Sequence, residues 1–382
     1  MKVPYAFLDR QFADPDRLLD ALRPLVRAGD FTLGPRVEAF ERQFAALHVT
    51  SRGEVPHAVG VGSGTDALAL ALQAVGVGPG DEVVTSPTSF VATAGAIDML
   101  GATPRFVDVD ARFLLDLEQV EAAITERTRA LLPVHYTGDM VDMEALRAFA
   151  DRHGLAIVED ACQAVLARFD GEPPGRWSHA AAFSLHPLKN LHVWGDGGVV
   201  LTHDDDVAAA VRLQRNHGLV DRDRAAVFGR NSRLHTLQAA VGSLLIEDAE
   251  ADAEARIELA RSYDDALRDL APDLVVPPRD PRSRHVFHLY VLQVARRDEV
   301  LAGLRAAGIS AKIHYPIPIH LQPAAHHLGY ARGDFPAAER YAEQALSLPV
   351  HPYLRADERA HVVETLRRLV RAGACETASV TR

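Results

Sequence analysis

The chain has 382 residues, of which 48% are hydrophobic and 24% charged, a composition that is typical of a globular protein and excludes global disorder. Its formal net charge of -11 repels phosphate backbones and anionic lipid, so we expect neither nucleic acid nor a membrane as a partner. No apolar run approaches the roughly 20 residues that span a bilayer. The two cysteines are too few to stabilise a chain of this size through disulfide bonds, and the first residues do not resemble a signal peptide. We therefore expect a cytoplasmic location.

From residue 58 onward, short β-prone runs alternate with amphipathic stretches. Strands are predicted at 58–61, 82–85, 103–107, 130–134 and 156–158, and helices at 66–74, 90–100, 117–123 and 142–152. Such alternation is typical of α/β proteins, in which βα units build a mostly parallel sheet with helices on both faces. Two more runs, 180–185 and 198–202, follow closely enough to pair as antiparallel strands.

After residue 231 the pattern changes to long helical stretches. Helices are predicted at 234–249, 253–270, 298–307 and 357–372, and strands at 287–294 and 311–313. We therefore expect two domains, with residues 1–250 forming a large domain and residues 251–382 forming a smaller C-terminal α+β domain.

Lysine is scarce in this chain, which has 38 arginines but only three lysines, at positions 2, 189 and 312. A lysine kept in such a sequence indicates a place where an amine is needed, because an amine can lose its proton and attack a carbonyl whereas a guanidinium cannot. Lys189 is the stronger candidate, since Pro187 and a glycine-rich turn fix its loop between two predicted strands. Lys312 alternates with apolar neighbours like an exposed strand residue, although it could meet an anionic substrate.

Two further segments follow the ends of predicted strands. Residues 60–66 place three glycines, Ser63 and Thr65 before a helix, where backbone N–H groups and the helix dipole favour an anion. A tight turn that caps the helix is the alternative interpretation. Another strand runs into Glu159 and Asp160, and a carboxylate there either faces a ligand cleft or caps the next helix.

Four motifs, in this order and spacing, resemble those of the DegT/StrS-type sugar aminotransferases. They are Gly62-Ser63-Gly64-Thr65-Asp66-Ala67-Leu68, Glu159-Asp160-Ala161-Cys162-Gln163-Ala164, the segment from Phe183-Ser184 through Lys189-Asn190-Leu191 to Gly195-Asp196-Gly197-Gly198, and Asn231-Ser232-Arg233-Leu234. The resemblance extends from Phe31 to His351 and so covers nearly the whole chain. It implies the α/β fold of fold-type I aminotransferases, pyridoxal 5′-phosphate as cofactor, and a homodimer whose subunits share their active sites.

The resemblance also implies roles for individual residues. Lys189 and Asp160 are the expected catalytic residues: Lys189 holds the cofactor through its ε-amine, and Asp160 pairs with the pyridine nitrogen. The other expected cofactor contacts are Gly64, Thr65 and Ser184 with the phosphate, Phe90 with the ring face, Gln163 with the phenolic oxygen, and Asn231 with the phosphate of the neighbouring subunit's cofactor. The expected substrate contacts are His314, Tyr315, His320 and Arg233; a core or interface role is the alternative for the first three, and pairing across the dimer is the alternative for Arg233.

The activity implied is transfer of an amino group from glutamate or glutamine to a keto sugar, expected to be nucleotide-linked, in amino- or deoxy-sugar biosynthesis. Val165 and Leu166 stand where many family members have histidine and glycine, which leaves the sugar open. A sugar-phosphate or cyclitol ketone is an alternative acceptor, and a regulatory protein that binds the cofactor without catalysis is an alternative of another class. The histidines at 314, 320, 326 and 327 lack an accompanying carboxylate or cysteine pattern, so no metal site is expected.

Overall fold

A computed structural model describes residues 1–380, with side chains from residue 1 to residue 372. Thirteen α-helices and twelve β-strands lie in this part of the chain. The helices are α1 (Leu8–Gln11), α2 (Asp16–Ala28), α3 (Pro35–Ala46), α4 (Gly64–Ala74), α5 (Ala92–Asp98), α6 (Val120–Ala123), α7 (Met143–His153), α8 (Asp205–Gln214), α9 (Thr236–Leu245), α10 (Ala249–Leu267), α11 (Arg297–Ala306), α12 (Pro336–Gln344) and α13 (Ala356–Val380). The strands are β1 (His57–Val61), β2 (Glu82–Thr85), β3 (Thr103–Phe106), β4 (Thr128–Leu131), β5 (Ala156–Asp160), β6 (Arg168–Phe169), β7 (Ala180–Ser184), β8 (Gly198–Thr202), β9 (Leu274–Val275), β10 (Ser283–Arg284), β11 (Tyr290–Val294) and β12 (Ala345–Leu348).

Seven strands form a central sheet in the order β1-β8-β7-β5-β4-β2-β3. Neighbours pair in parallel except at β8, which runs antiparallel to both β1 and β7. The carboxyl ends of β1, β2, β5 and β7 therefore lie at one edge of the sheet, which is where α/β proteins bind ligands. The predicted mostly parallel sheet is confirmed, as is the antiparallel pairing of the runs 180–185 and 198–202, which form β7 and β8.

Helices cover both faces of this sheet. All five residues of β7 are buried, and they alternate between two hydrophobic clusters. Ala181 and Phe183 pack into the cluster that contains Phe40 and Phe44 of α3, whereas Ala180 and Ala182 pack against the apolar side chains of α4. Burial on both faces explains why the strands read as continuous apolar runs in the sequence.

The C-terminal part is built on a second, antiparallel sheet in the order β12-β11-β9. Side chains of α10, α11 and α13 pack with it in a third hydrophobic cluster. Val3 joins this cluster and pairs with Ile309, so the first residues of the chain pack with its C-terminal part. The proposed boundary between domains at residue 250 stays a prediction.

Two predicted strands of the C-terminal part are corrected by the structure. The strand predicted at 287–294 begins only at Tyr290, and the preceding residues are irregular. The strand predicted at 311–313 is wrong: Lys312 makes a single bridge with Ser347, with N···O distances of 3.1 and 2.8 Å. In this antiparallel register the next hydrogen-bonded pair would join Ser310 to Pro349, but proline cannot donate a backbone hydrogen bond, and Ser310 N donates to Val3 O instead.

Candidate active site

Most of the predicted site residues meet in one cavity of about 390 Å³ at the carboxyl edge of the central sheet. Its lining includes nine of them: Gly64, Thr65, Phe90, Asp160, Gln163, Ser184, Lys189, His314 and Tyr315. The other three, Asn231, Arg233 and His320, are not among the lining residues of the single chain.

Lys189 lies in the loop that connects β7 to β8. The base of this loop is fixed by a hydrogen bond from Leu185 N to Gly197 O at 2.8 Å, and Lys189 N itself donates to His186 O at 2.8 Å. Burial lowers the pKa of the Lys189 amine, and the nearby Cys162 and Asp160 offset part of that effect. A larger fraction of the amine is therefore neutral and nucleophilic than in a lysine exposed to water.

Asp160 ends β5 and is 5% exposed. Its Oδ2 accepts a hydrogen bond of 2.7 Å from Thr93 Oγ1, and its Oδ1 accepts one of 3.2 Å from Cys162 N. Thr93 Oγ1 also lies 2.7 Å from Ser89 Oγ. The carboxylate is thus held in one orientation from two sides, which suits a group that must face a ligand atom in a poorly solvated site.

The first turn of α4 forms an open anion cradle. Ser63 caps the helix by accepting a hydrogen bond of 3.1 Å from Asp66 N, whereas the first residues, Gly64 and Thr65, line the cavity. A Cβ atom on Gly64 would lie 2.6 Å from Cβ of Ser184, so only glycine allows the helix to approach β7 this closely. The unsatisfied N–H groups of the first turn and the positive end of the helix dipole favour a bound phosphate there.

Gln163 and the segment that contains His314 and Tyr315 also line the cavity. Thr137 N donates to Gln163 Oε1 at 2.8 Å, which leaves the amide nitrogen as the free donor of that side chain. The hydroxyl of Tyr136 lies 2.6 Å from His314 O and fixes the segment. Burial raises the pKa of Tyr315 to about 12 and lowers that of His314 to about 4, so both side chains are neutral at pH 7.

Three predicted site residues lie elsewhere in the single chain. Asn231 is exposed, and its Oδ1 accepts a hydrogen bond of 3.0 Å from Arg233 Nε. His320 is 1% exposed, and its Nε2 lies 3.1 Å from Glu339 Oε1. Asn231 was expected to reach the neighbouring subunit's cofactor, and the substrate roles of Arg233 and His320 stay predictions.

Other cavity residues were not predicted from the sequence. Thr93 orients Asp160, and Tyr5, Phe7, Arg256 and His288 line the cavity. No residue-type signal could single out Arg256 among 38 arginines, and Tyr5 and Phe7 precede the alternating pattern that placed the other motifs.

The described residues contain no group of three or more His, Cys, Asp or Glu side chains arranged to hold a metal ion. In the same part of the chain, no helix combines the length and apolar character needed to cross a membrane.

The lysine loop at the edge of a mostly parallel sheet, together with the structural comparison, defines the chain as an aminotransferase of fold type I. The crystal structure of S. venezuelae DesV in complex with a ketimine intermediate superposes with a TM-score of 0.92, at 41% sequence identity, and the match covers 97% of this chain and 98% of DesV.

The chain belongs to the DegT/DnrJ/EryC1/StrS aminotransferase family, whose model matches residues 14–367. One relative is a pleiotropic regulatory protein of Geobacillus stearothermophilus, 43% identical over 97% of this chain and 99% of its own length. Another is the dTDP-3-amino-3,4,6-trideoxy-alpha-D-glucose transaminase of Micromonospora megalomicea subsp. nigra, 42% identical over 95% of this chain and 96% of its own length. The resemblance seen in the sequence motifs is therefore confirmed.

Proposed function

We propose that the protein is a pyridoxal 5′-phosphate-dependent transaminase that moves an amino group from glutamate or glutamine to a nucleotide-linked keto sugar. The observation that carries this proposal is the buried Lys189 amine, whose pKa is lowered, in one cavity with Asp160 and the open first turn of α4. Membership of a sugar aminotransferase family gives the same class of reaction.

The cavity residues fit the cofactor. Gly64 lets the first turn of α4 approach Ser184 closely, so backbone N–H groups and the Ser184 hydroxyl lie side by side for a phosphate. Asp160 offers a fixed carboxylate for a protonated ring nitrogen, and Lys189 offers the amine that condenses with an aldehyde. When bound, pyridoxal 5′-phosphate supplies an electron-withdrawing ring that accepts the electron pair left by a departing α-proton.

The reaction follows from what these side chains do. Lys189 would hold the cofactor through its Nζ atom, and once free of it Nζ would accept and return the proton at the donor's α-carbon. Asp160 keeps the ring nitrogen protonated, because an opposite charge in a poorly solvated site favours the charged form. Thr93 fixes the carboxylate of Asp160 so that this interaction is ready before the substrate arrives.

Support for a nucleotide-linked acceptor comes from the dTDP-sugar transaminase of M. megalomicea, which matches over almost its full length. Assays with dTDP- and UDP-linked 3-keto and 4-keto sugars, with a keto sugar phosphate and with a cyclitol ketone would identify the acceptor. Preferential turnover of either of the last two would replace the nucleotide-linked assignment.

The name of the G. stearothermophilus relative favours a second candidate, a regulatory protein that binds the cofactor without catalysis. Lys189 and Asp160 lie together in this chain, and we infer that it is a catalyst. Loss of the visible absorbance of the lysine-bound cofactor on adding glutamate, and its return on adding a keto sugar, is expected of the transaminase alone.

The matched test of the site uses the three lysines. Borohydride reduction of the cofactor-loaded protein, followed by peptide mass mapping, should place the cofactor on Lys189 and leave Lys2 and Lys312 unlabelled. Lys189→Ala should lose turnover and the visible absorbance, whereas Lys2→Ala, at an exposed position, should keep both. Modification of another lysine, or turnover by Lys189→Ala, would contradict the proposal.

A homodimer with shared sites is also part of the proposal. Asn231 is exposed and does not line the cavity of its own chain, and the neighbouring Phe228 is 101% exposed, with Val220 and Val227 also exposed. Such an apolar patch next to a polar site residue suits contact with a second subunit.

Subunit mixing tests the shared site. Lys189→Ala and Asn231→Ala should each be nearly inactive alone. Mixed after dissociation, they should regain about a quarter of wild-type activity, because about half of the dimers are then mixed and each of these has one intact site. No recovery from a mixture shown to exchange subunits would mean that Asn231 does not act across the interface.

A further inference from the structure

Within the described part of the chain, two cations besides Lys189 line the cavity. Lys312 lines it with its ammonium 5.0 Å from the ring centroid of Tyr5, and Arg256 lines it with its guanidinium 5.3 Å from the ring centroid of Phe7. The proposed mechanism gives neither cation a role.

Among the described residues, neither cation is paired with a carboxylate. Within residues 1–372, Lys312 and Arg256 form no ion pair with a carboxylate within 4.0 Å. Arg256 is 2% exposed; its Nη1 donates to Val350 O at 2.6 Å, but its Nε is buried without a hydrogen-bond partner. A buried guanidinium with an unpaired N–H group lowers the stability of the protein, which points to an anionic ligand that accepts a hydrogen bond from it.

The carboxylate of Asp252 lies within electrostatic range of Arg256 without forming an ion pair with it, and the other titratable side chains that face the two cations are engaged elsewhere or neutral. The carboxylate of Asp160 is already engaged by Thr93. His314 and His288 have pKa values lowered chiefly by burial, and both are neutral at pH 7. Lys312 and Lys189 each lower the pKa of His314 further, which places both ammonium groups within electrostatic range of that ring.

The burial of Arg256 favours a small anion. Arg256 lies against Phe7 and Val350 in the protein interior, whereas the Lys312 side chain is exposed. A single carboxylate suits two such cations, because each of its oxygens can accept a charge-assisted hydrogen bond. The cofactor phosphate already has its own cradle at α4.

We propose that the Lys312 ammonium, backed by the Arg256 guanidinium, binds a carboxylate of the amino donor, and that Lys312 thereby selects a dicarboxylic amino acid. This inference rests on the proposed function, since it assigns part of the same cavity to the donor. It makes Lys312 a specificity-determining residue for the first half-reaction, in which the donor gives up its amino group; the keto sugar receives that group in the second half-reaction.

The test separates the two half-reactions in the cofactor-loaded enzyme. Glutamate is titrated while the absorbance of the lysine-bound cofactor is followed, in the wild type, Lys312→Met and Lys312→Arg. Lys312→Met should raise the half-saturating glutamate concentration roughly 10-fold or more, as expected for the loss of a charge-assisted hydrogen bond, whereas Lys312→Arg retains most of the affinity. The half-saturating keto-sugar concentration in the second half-reaction should not change.

A binding readout keeps this test independent of turnover. Glutarate, a dicarboxylate that has no amine to transfer, should bind the loaded wild type in calorimetry and bind Lys312→Met at least several-fold more weakly. Lys2→Met, at an exposed site outside the cavity, is the matched control and should bind like the wild type.

The outcomes distinguish the two proposals. Unchanged glutamate and glutarate affinities in Lys312→Met would overturn the donor subsite, as would a defect confined to the keto sugar. If the wild type reacts with no amino acid, the proposed function fails, but weaker glutarate binding by Lys312→Met would still support the carboxylate subsite.

Discussion

A buried ion pair ties the first helix to the last, and we predict that breaking it destabilises the fold. Arg10 donates through Nη2 and Nη1, at 2.6 and 2.8 Å, to the two carboxylate oxygens of Glu358, whose side chain is 0% exposed. Arg355 N adds a hydrogen bond of 3.0 Å to the same carboxylate. Because Tyr5 and Phe7 precede α1 and line the cavity, the pair also anchors a wall of the site.

The magnitude follows from the carboxylate. Hydrogen bonding to Arg10 is the largest influence on Glu358 and lowers its pKa from 4.5 to about 2. A difference of this size between the unfolded and folded pKa corresponds to roughly 3 kcal/mol of stability. Because the folded pKa is the lower one, this contribution is fully present above about pH 4.5 and is lost as the pH falls through about 2.

Arg10→Met should therefore lower the free energy of unfolding by up to about 3 kcal/mol at pH 7, since it removes the stronger partner of a buried carboxylate and leaves only Arg355, whose guanidinium lies 3.2 Å away. Thermal melts at fixed protein concentration should show a decrease of up to roughly 4 °C if the chain unfolds in one transition. Arg17→Met is the matched control, because the Arg17–Glu247 pair is 58% and 57% exposed and should contribute less than about 1 kcal/mol. Equal melting temperatures for the two variants would refute the reasoning.

Two further predictions concern the cavity. Thr93→Val removes the hydroxyl that donates to Asp160, so steady-state kcat/KM should fall roughly 10- to 100-fold. Thr93→Ser retains the hydroxyl and should keep most of the activity. Equal activity of the two variants would contradict the orienting role of Thr93. Gly64→Ala would force a Cβ to 2.6 Å from that of Ser184, so cofactor titrations should show weaker binding and melts a loss of about 1–3 kcal/mol. Gly95→Ala, whose Cβ meets nothing within 4 Å, is the control and should change neither measurement by a comparable amount.

The central sheet was predictable because each of its strands lies between segments of different periodicity. The strands predicted at 82–85 and 198–202 coincide with β2 and β8, in which every residue is buried. The strand predicted at 311–313 failed because alternation alone does not provide a pairing edge. Within the predicted run, only Lys312 forms a bridge, and its partner is Ser347.

The candidate site was predictable only in part. The motifs around Lys189 and Asp160 are local and follow strand ends, so topology brings them together at one edge of the sheet. The bond from Thr93 to Asp160 joins residues 67 positions apart, and Arg256 reaches the cavity from α10. Such contacts depend on how helices pack on the finished sheet, which no local pattern encodes.

The scarcity of lysine becomes informative once the cavity is known. The sequence has 38 arginines, and Arg256 is the one that lines the cavity among the described residues, whereas two of the three lysines do so. The two lysines differ in what they require of the side chain: Lys189 must lose a proton and form a covalent bond, but Lys312 needs only a positive charge. Arginine can supply the charge but not the nucleophile. Lys189→Arg should therefore abolish both the visible absorbance and turnover, while Lys312→Arg preserves glutamate binding, and equal losses in the two variants would show that position 312 also depends on an amine.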